Sequence, residues 1–562
     1  MDKLNFVVLR DNINLNTANK LIEKSIKKNS NLKTAIFLDK NKKLIGILTL
    51  GDFRRFIKKF TPDTKITKLI NVHPIVCKKE QLNGNLNTFI KKELNKRNLK
   101  NVDDLIVLND DKTIHKVLNY DNIKNSSLYK NICILGLGHI GLTLSIHLLK
   151  YFSHIVGLEI NSSKIKDIKN NNIEFYEKNL DGLLKNTLKN NKIKFENDIL
   201  KSESQIYIIC VGTNITNKNL PNNNNLIKIF RPLGKKISKG DLIIMRGTLQ
   251  VGVSRNLLIK ILEKVSKLKC GKDFYFSYMP ERIIEGDALD ELEKIPQIIS
   301  GYSKTCSEKA NEFAIKCFKN IVNVKSLEEA EIIKLASNSY RDINFAFSND
   351  LARIANLYNL SGHDLIKNAN YGYQRNNIKL PSVGVGGFCL PKDPYLFNSL
   401  YFNNNSKGYQ LAKYSRKINE DSFNILYKKI SKFKLNEKKN KIKILFLGIA
   451  FKGLPETIDT RNSPTLVALK KLTENNSIKM FDVMGSKILK KNPSFKKNII
   501  INIKKLNDYD VVICMNNNPN YGEIISQKIT YNKNRGNKLI IDVWQLIDKN
   551  LAESYRWKYE KI

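Results

Sequence analysis

The segment S-V-G-V-G-G-F-C-L-P-K-D-P, Ser382 to Pro394, places a thiol in a glycine-rich loop and follows it with a cation and a carboxylate, Lys392 and Asp393. Glycines let a backbone approach a ligand closely, and a nearby cation or donor lowers a thiol's pKa toward the nucleophilic thiolate. Cys389 is therefore the candidate nucleophile. The other seven cysteines, at 77, 133, 210, 270, 306, 317 and 514, read as buried and inert. Two further pairs have the i, i+4 spacing that would put both members on one helical face: Lys334 with Asn338 in A-E-I-I-K-L-A-S-N, and Glu281 with Glu285 in P-E-R-I-I-E-G. Spacing alone makes them ordinary surface pairs.

A second chemistry lies in I-C-I-L-G-L-G-H-I-G, where Gly136, Gly138 and Gly141 fall between an apolar strand and a helix predicted to begin near His139. Such glycines allow a tight turn and close approach to a pyrophosphate, while the helix N-terminus offers free N–H groups. The next predicted strand, His154 to Glu159, ends in a carboxylate 23 positions after Gly136, near the roughly 20 expected of an acceptor for ribose hydroxyls. Glu159 would repel a 2′-phosphate, so the expected cofactor is NAD rather than NADP.

The elements that must position these groups follow from periodicity. After a polar linker, Asn125-Ser126-Ser127, apolar strands alternate with longer amphipathic segments over about 130 to 325, the pattern of a parallel sheet with crossover helices. Glu328 to Leu360 has helical spacing and no Pro or Gly, which predicts one long helix of the kind that supports a dimer interface. A second α/β region begins at Lys441 to Gly448 and continues through short strands at Ile478 to Val483, Val511 to Met515 and Leu539 to Val543. At the other end, Thr34 to Phe53 reads as a hairpin leading into a helix. Val102 to Ile123 echoes it, so residues 1 to 125 read as a duplicated α/β unit.

Composition removes other classes. A chain of 562 residues needs three or four folded units, and 42% hydrophobic residues argue against global disorder. The formal charge of +43 suggests an anionic partner, but Lys is spread along the whole chain beside Asn runs such as Asn222 to Asn225, which marks a solvated surface rather than a nucleic-acid patch. A nucleic-acid binder would show a steeply salt-dependent affinity. The cysteines form no C-x-x-C pair and the six histidines are dispersed, which points to a reducing cytoplasm and no metal centre. Met1 to Phe6 lacks the apolar stretch of a signal peptide. The run Ile132 to Leu149 has the length of a membrane span but contains three patterned glycines and two histidines, so it reads as strand, turn and helix, with no membrane partner.

From about residue 130 to the C-terminus the chain carries, in order, G-L-G-H-I-G, I-E-F-Y-E-K-N-L-D, Y-I-I-C-V-G-T, R-G-T-L-Q-V-G, P-E-R-I-I-E-G, K-L-A-S-N-S-Y-R-D-I-N-F-A-F, G-V-G-G-F-C-L-P-K-D-P and G-I-A-F-K-G. In these segments it resembles the nucleotide-sugar 6-dehydrogenase family, which includes the UDP-glucose, UDP-N-acetylhexosamine and GDP-mannose dehydrogenases. The first 125 residues resemble a tandem pair of cystathionine-β-synthase (CBS) domains, in which Gly-x-x-Thr-x-x-Asp contacts the ribose and phosphate of an adenosine nucleotide. Gly46, Thr49 and Asp52 match that pattern, and His115, Leu118 and Asp121 stand at the places read as equivalent in the second copy.

The resemblance implies an α/β fold with two Rossmann-like parallel-sheet domains joined by a long central helix and preceded by a small CBS-pair module. The implied domains are a regulatory module at 1–125, an NAD-binding domain at 130–325, a central helical dimerisation and catalytic region at 326–430, and a UDP-sugar-binding domain at 438–562. The implied activity is a four-electron oxidation of a sugar C6 alcohol to a carboxylate with NAD and no metal, of a kind that serves polysaccharide biosynthesis. By resemblance, Cys389 attacks the C6 aldehyde, and Lys334 and Asn338 hold the developing oxyanion. Asp393 and Thr248 help move the alcohol proton, and Glu281 acts as acid and base. Gly136, Gly138, Gly141, Glu159, Lys164, Thr213, Glu285 and Arg461 fall at cofactor positions. Gly384, Gly386, Phe451 and Lys452 fall at substrate positions, and Arg375 resembles an Arg that some members insert into a neighbouring subunit. UDP-sugar is the implied substrate partner, an AMP- or ATP-type ligand is implied at Thr49 and Asp52, and the protein is expected to be a homodimer or higher homo-oligomer.

The chain departs from the family pattern in places. Val211 to Asn214 reads Val-Gly-Thr-Asn instead of Val-Pro-Thr-Pro, and residue 388 is Phe where relatives often have His, Ser or Tyr. An insert of differing length separates Lys452 from Arg461. Two other functions fit parts of the chain: a two-electron hydroxy-acid-type dehydrogenase, which needs no loop thiol, and a nucleotide-sensing binding protein with an inactive dehydrogenase body.

Overall fold

The computed structural model describes residues 6–28, 34–78, 104–119, 131–402, 410–533 and 537–562, with isolated positions between 90 and 97. The linker at Asn125 to Ser127 and Asp121 lie outside the described residues. The chain divides into two compact units, Met1–Lys130 and Asn131–Ile562.

The first unit contains two copies of one small sheet. Strands β1 (Phe6–Arg10), β2 (Thr34–Leu38) and β3 (Leu44–Thr49) form the first; β4 (Val76–Lys78), β5 (Asp104–Leu108) and β6 (Ile114–Asn119) form the second. In each, the outer strand pairs parallel to the middle one and the hairpin strands pair antiparallel. The copies share their irregularities. The hairpin register shifts at Phe37/Leu38 and at Val107/Leu108, and each turn passes through a left-handed lysine, Lys42 (φ 62°) and Lys112 (φ 65°).

That repeat corrects the expected equivalences. Thr34 pairs with Thr49, and Asp104 pairs with Asn119. Gly46 and Thr49 therefore correspond to Lys116 and Asn119, not to His115 and Leu118, and Asp121 falls one residue out of step with Asp52. The residues expected to hold a nucleotide also have local structural work. A Cβ at Gly46 would lie 2.6 Å from the Asn71 carbonyl oxygen, where Ile47 and Asn71 bridge. Thr49 caps the helix Leu50–Lys59: its hydroxyl accepts from the Asp52 N–H at 3.2 Å and donates to the Asp52 carboxylate at 2.7 Å.

The second unit opens with an eight-stranded sheet of β7 (Ile132–Leu135), β8 (Ile155–Leu158), β9 (Ile193–Glu196), β10 (Ile206–Ile209), β13 (Leu242–Met245), β14 (Tyr275–Tyr278), β15 (Gln297–Gly301) and β16 (Ile321–Asn323); β11 (Asn214–Ile215) and β12 (Pro221–Asn222) form a separate ribbon. Its order is β16-β15-β14-β13-β10-β7-β8-β9. All neighbours are parallel except β14 and β15, which run antiparallel, a departure from the all-parallel expectation. Strands such as β7, β10 and β13 are buried along their whole length, as a sheet covered on both faces requires. The order reverses between β7 and β10, and loops at the carboxyl ends of strands on either side of such a switch point form a crevice.

The long helix spans Leu327–Leu357, with Ser326 capping it through the Glu329 N–H. It ends three residues short of the expected Leu360, because Asn359 adopts a left-handed conformation (φ 55°). The last sheet, β17 (Ile442–Leu447), β18 (Asn476–Phe481), β19 (Val511–Cys514), β20 (Leu539–Asp542) and β21 (Lys558–Lys561), is wholly parallel in the order β18-β17-β19-β20-β21. Among the described residues no helix is long and apolar enough to cross a membrane.

The Thr49 cap gives a test of the local account. Thr49→Ala should cost about 1 kcal/mol and speed amide hydrogen exchange across residues 50–59 relative to the rest of the first unit.

Candidate active site

Gly136 ends β7 with φ 91°, and a Cβ at Gly141 would lie 1.9 Å from the Gly136 carbonyl oxygen. Only glycine at 141 permits the helix His139–Leu148 to start so close to the strand. Gly138 is its N-cap without a side-chain cap, so the N–H groups at the helix start are open to an anion. A Cβ at Gly138 would come within 4.0 Å of the Lys164 Nζ, and Lys164 also stands 3.7 Å from Glu159 and 3.5 Å from Glu174. The Glu159 carboxylate lies at the end of β8, accepting from the N–H groups of Leu137 and Asn161, each at 3.2 Å. A glycine cradle, a free helix start, a cation over the turn and a carboxylate beside it fit a dinucleotide.

Gly138 and His139 line a cleft of about 320 Å³ together with Cys389, Thr248, Glu281, Glu285 and Lys334, and with Gly386, Phe451, Lys452 and Arg461 from farther along the chain. The sulfur-bearing residue thus faces the glycine turn 250 residues earlier. Asn338 and Asp393, also expected in the site, do not line the cleft: both are buried, and the Asn338 amide donates to the Asp393 carboxylate at 2.6 Å. Lys392 holds the other oxygen of Asp393.

The glycine loop reaches the cleft because it is clamped to the C-terminal domain. The Gly387 N–H donates to the Arg461 carbonyl at 2.9 Å, and the Asn462 amide donates to the Gly387 carbonyl at 2.9 Å. A Cβ at Gly386 would sit 2.6 Å from the Asn462 carbonyl oxygen and 2.9 Å from Phe451. The insert before Arg461 keeps that residue in place. Asp459 accepts from the Arg461 backbone N–H at 2.9 Å and from its guanidinium at 2.6 and 2.9 Å.

Cys389 is exposed to the cleft. The protein packed around it, with Asp393, pushes its thiol above the ordinary value, while Lys334, Lys392 and Arg461 pull the other way. Of the cysteines expected to be buried, Cys210 is only half-buried and lines the same cleft. Burial raises its thiol to about 12, which keeps it protonated.

The Glu281 and Glu285 pair does not lie on a helix. Residues 280–285 form a loop in which the two carboxylates have separate partners. Glu281 is buried against Arg246. Burial raises its pKa, but the Arg246 charge and hydrogen bond, with Arg282 and Lys334, bring it below the ordinary carboxylate value. Glu281 is therefore held ionised, and the Lys334 ammonium donates to its backbone carbonyl. Glu285 accepts from the Thr457 hydroxyl at 2.6 Å, and its carbonyl accepts from Lys452 at 2.6 Å. Burial drives the Lys452 ammonium down to about 8.

Three other expected contact residues stand apart from the cleft. Thr213 is fully buried, with its hydroxyl on Asn223 at 3.1 Å and its N–H on the Thr248 carbonyl at 2.8 Å; it positions Thr248. Gly384 (φ 138°) lines the neighbouring cavity. Arg375 is exposed, its guanidinium 5.3 Å from the Tyr373 ring.

Sequence reasoning did not single out Arg246, Glu177 or Glu331. Arg246 follows directly on the apolar strand β13, a position where a charge demands a partner. Glu177 is buried, lies 3.0 Å from His139, and accepts the Gly286 N–H at 3.0 Å, joining the glycine turn to the loop after Glu285. Glu331, one helical turn before Lys334, accepts from Gly252 at 2.6 Å and Ser254 at 3.0 Å. It fixes the long helix against the segment that follows β13 of the eight-stranded sheet, and burial lifts its carboxyl to about 7.

Fold and cleft define a two-domain NAD-binding oxidoreductase in which a loop thiol faces the dinucleotide turn. Three family models match in sequence: the NAD-binding domain of the UDP-glucose/GDP-mannose dehydrogenase family at residues 130–322, its central domain at 328–421 and its UDP-binding domain at 445–549. The chain belongs to the UDP-glucose/GDP-mannose dehydrogenase family. It is similar to the UDP-N-acetyl-D-mannosamine dehydrogenases of Pyrococcus horikoshii, 33% identical over 60% of this chain and 79% of that protein, and of Campylobacter jejuni, 30% identical over 71% and 98%. The solved P. horikoshii structure superposes with a TM-score of 0.66 at 27% identity, covering 77% of this chain and 99% of that one. A UDP-glucose dehydrogenase structure from Pyrobaculum islandicum shares the fold, with a TM-score of 0.65 at 20% identity over 77% and 97%. The protein is an NAD-dependent nucleotide-sugar dehydrogenase.

The raised Glu331 carboxyl sets a pH test. The folded chain binds this proton more tightly than the unfolded chain, whose Glu titrates near about 4.3. The linked stability is fully present below that value and is lost as pH rises through the folded value of about 7. Glu331→Gln should therefore flatten the fall in melting temperature across this window, read by thermal unfolding at a series of pH values.

Proposed function

We propose that the chain oxidises the C6 hydroxyl of a UDP-N-acetylhexosamine, with the N-acetylmannosamine sugar the leading substrate, to the uronic acid through a covalent intermediate on Cys389. The observation that carries this reading is the placement of Cys389 in one cleft with the glycine turn, Lys334 and Glu281. The two mannosamine-specific relatives support the choice of sugar.

NAD, held at the Gly136–Gly141 turn, would supply a hydride acceptor for C6 in each of two successive oxidations. The chain's own residues do the rest. Asp393, joined to Asn338 and Lys392, and Thr248 take the alcohol proton as the aldehyde forms. The Cys389 sulfur adds to the aldehyde carbon as its S–H proton passes to the carbonyl oxygen, giving a thiohemiacetal whose oxygen is held by the Lys334 ammonium and the Asn338 amide, fixed donors in a largely buried setting. The second oxidation removes a hydride from that carbon and releases the O–H proton to solvent, leaving a thioester. Glu281, held as a carboxylate by Arg246, takes a proton from water as it attacks; the acid is released and the thiol is restored. A two-electron hydroxy-acid dehydrogenase would have no use for this thiol.

The assembly reading rests on the long helix. Tyr340, Phe347, Ile354 and Leu357 are 67, 54, 47 and 79% exposed, the first three at seven-residue spacing. This apolar stripe suits a second copy of the chain.

Each purified UDP-sugar should be tested for NADH yield. Two NADH per UDP-N-acetylmannosamine, with Cys389→Ser losing uronic-acid formation by at least about a thousandfold, is the expected result; a yield that stops at one NADH per sugar overturns the covalent scheme. Phe347→Glu should shift the protein from dimer to monomer in light scattering; an unchanged mass would remove the stripe from the interface.

A further inference from the structure

Phe388, beside Cys389, has no role in the scheme above. It is 42% exposed, and among the described residues only it and Lys392 line both the Cys389 cleft and the adjoining cavity of about 740 Å³. Two cations meet on its ring: the Arg461 guanidinium lies 4.6 Å from the centroid and the Lys392 ammonium 5.0 Å. Each also has a carboxylate partner, Asp459 for Arg461 and Asp393 for Lys392. An aromatic face attracts cations through its quadrupole, so the ring gives each cation a second partner, one the two share.

We propose that Phe388 is a positioning residue for the thiol, its ring acting with Asp459 and Asp393 to hold Arg461 and Lys392 beside Cys389. The proposal rests on the reading of Cys389 as the nucleophile. Both cations act on Cys389, and a ring at 388 decides how near they stay.

The other charges facing Cys389 do not depend on the ring. Lys334 and Arg341 come from the long helix, Glu281 and Glu285 from the loop after β14 with Arg246 beneath, and Lys452 from the C-terminal domain. Replacing Phe388 therefore alters two positive charges while leaving the negative ones in place, and the thiolate becomes harder to form. A Ser or Leu at 388 offers no such face; a Tyr does.

The test is the rate at which iodoacetamide alkylates Cys389 in the full chain, without substrate or NAD, between about pH 7 and 10, with the modified peptide identified by mass spectrometry to separate it from Cys210. Phe388→Leu should shift the curve to higher pH and slow alkylation by about threefold or more on its rising limb, the effect of half a pKa unit or more. Phe388→Tyr should follow the parent curve. Phe388→Met, which keeps bulk without the π face, should behave like Phe388→Leu and serves if that variant does not fold. An unmoved curve for Phe388→Leu or Phe388→Met, or a Phe388→Tyr curve shifted as far as theirs, overturns the proposal. Because alkylation needs no turnover, that result leaves the covalent scheme to be judged separately by Cys389→Ser.

Discussion

The cleft depends on one close approach of two backbones. Residues 386–387 and 461–462 exchange hydrogen bonds across a gap that a single Cβ at 386 would close. That contact carries Cys389 from the central region to the carboxyl ends of the eight-stranded sheet and brings Arg461 with it. Phe451 packs on the same loop, so sulfur, guanidinium and this aromatic ring share one frame. The long helix supplies the other fixed wall, its azimuth set by Glu331 and its donors presented one and two turns further along.

Electrostatics in this frame are paired at short range. Arg246 with Glu281, and Asp393 with Lys392 and Asn338, are buried, and a buried Asp459 holds the more exposed Arg461. Removing one member of such a pair leaves an uncompensated charge in a poorly solvated place. The pairs also divide the labour: Glu281 is kept ionised, whereas Cys389 is kept mostly protonated.

Much of this was legible in the chain. The glycine spacing located the dinucleotide turn because strand, turn and helix leave few choices of residue there, and Glu159 fell at the end of β8 as a parallel sheet predicts. Lys334 and Asn338 share a helical face as their spacing required. Glu281 and Glu285 have the same spacing but lie on a loop, since periodicity says nothing where a buried arginine and an interdomain contact set the backbone. Arg246 and Glu331 were hidden because their partners are 35 and about 80 residues away in sequence. In the first unit the copies differ enough in side chain that only strand pairing fixes their true register.

The raised thiol of Cys389 bears on how this enzyme survives between turnovers. A sulfur open to solvent in a cell meets peroxides and reactive carbonyls, and its vulnerability to sulfenic and higher acids grows with thiolate content. Holding the resting sulfur as S–H, with its counter-charges assembled but not dominant, slows that chemistry. On the proposed scheme, reactivity arises with the first oxidation instead of being stored in the resting loop.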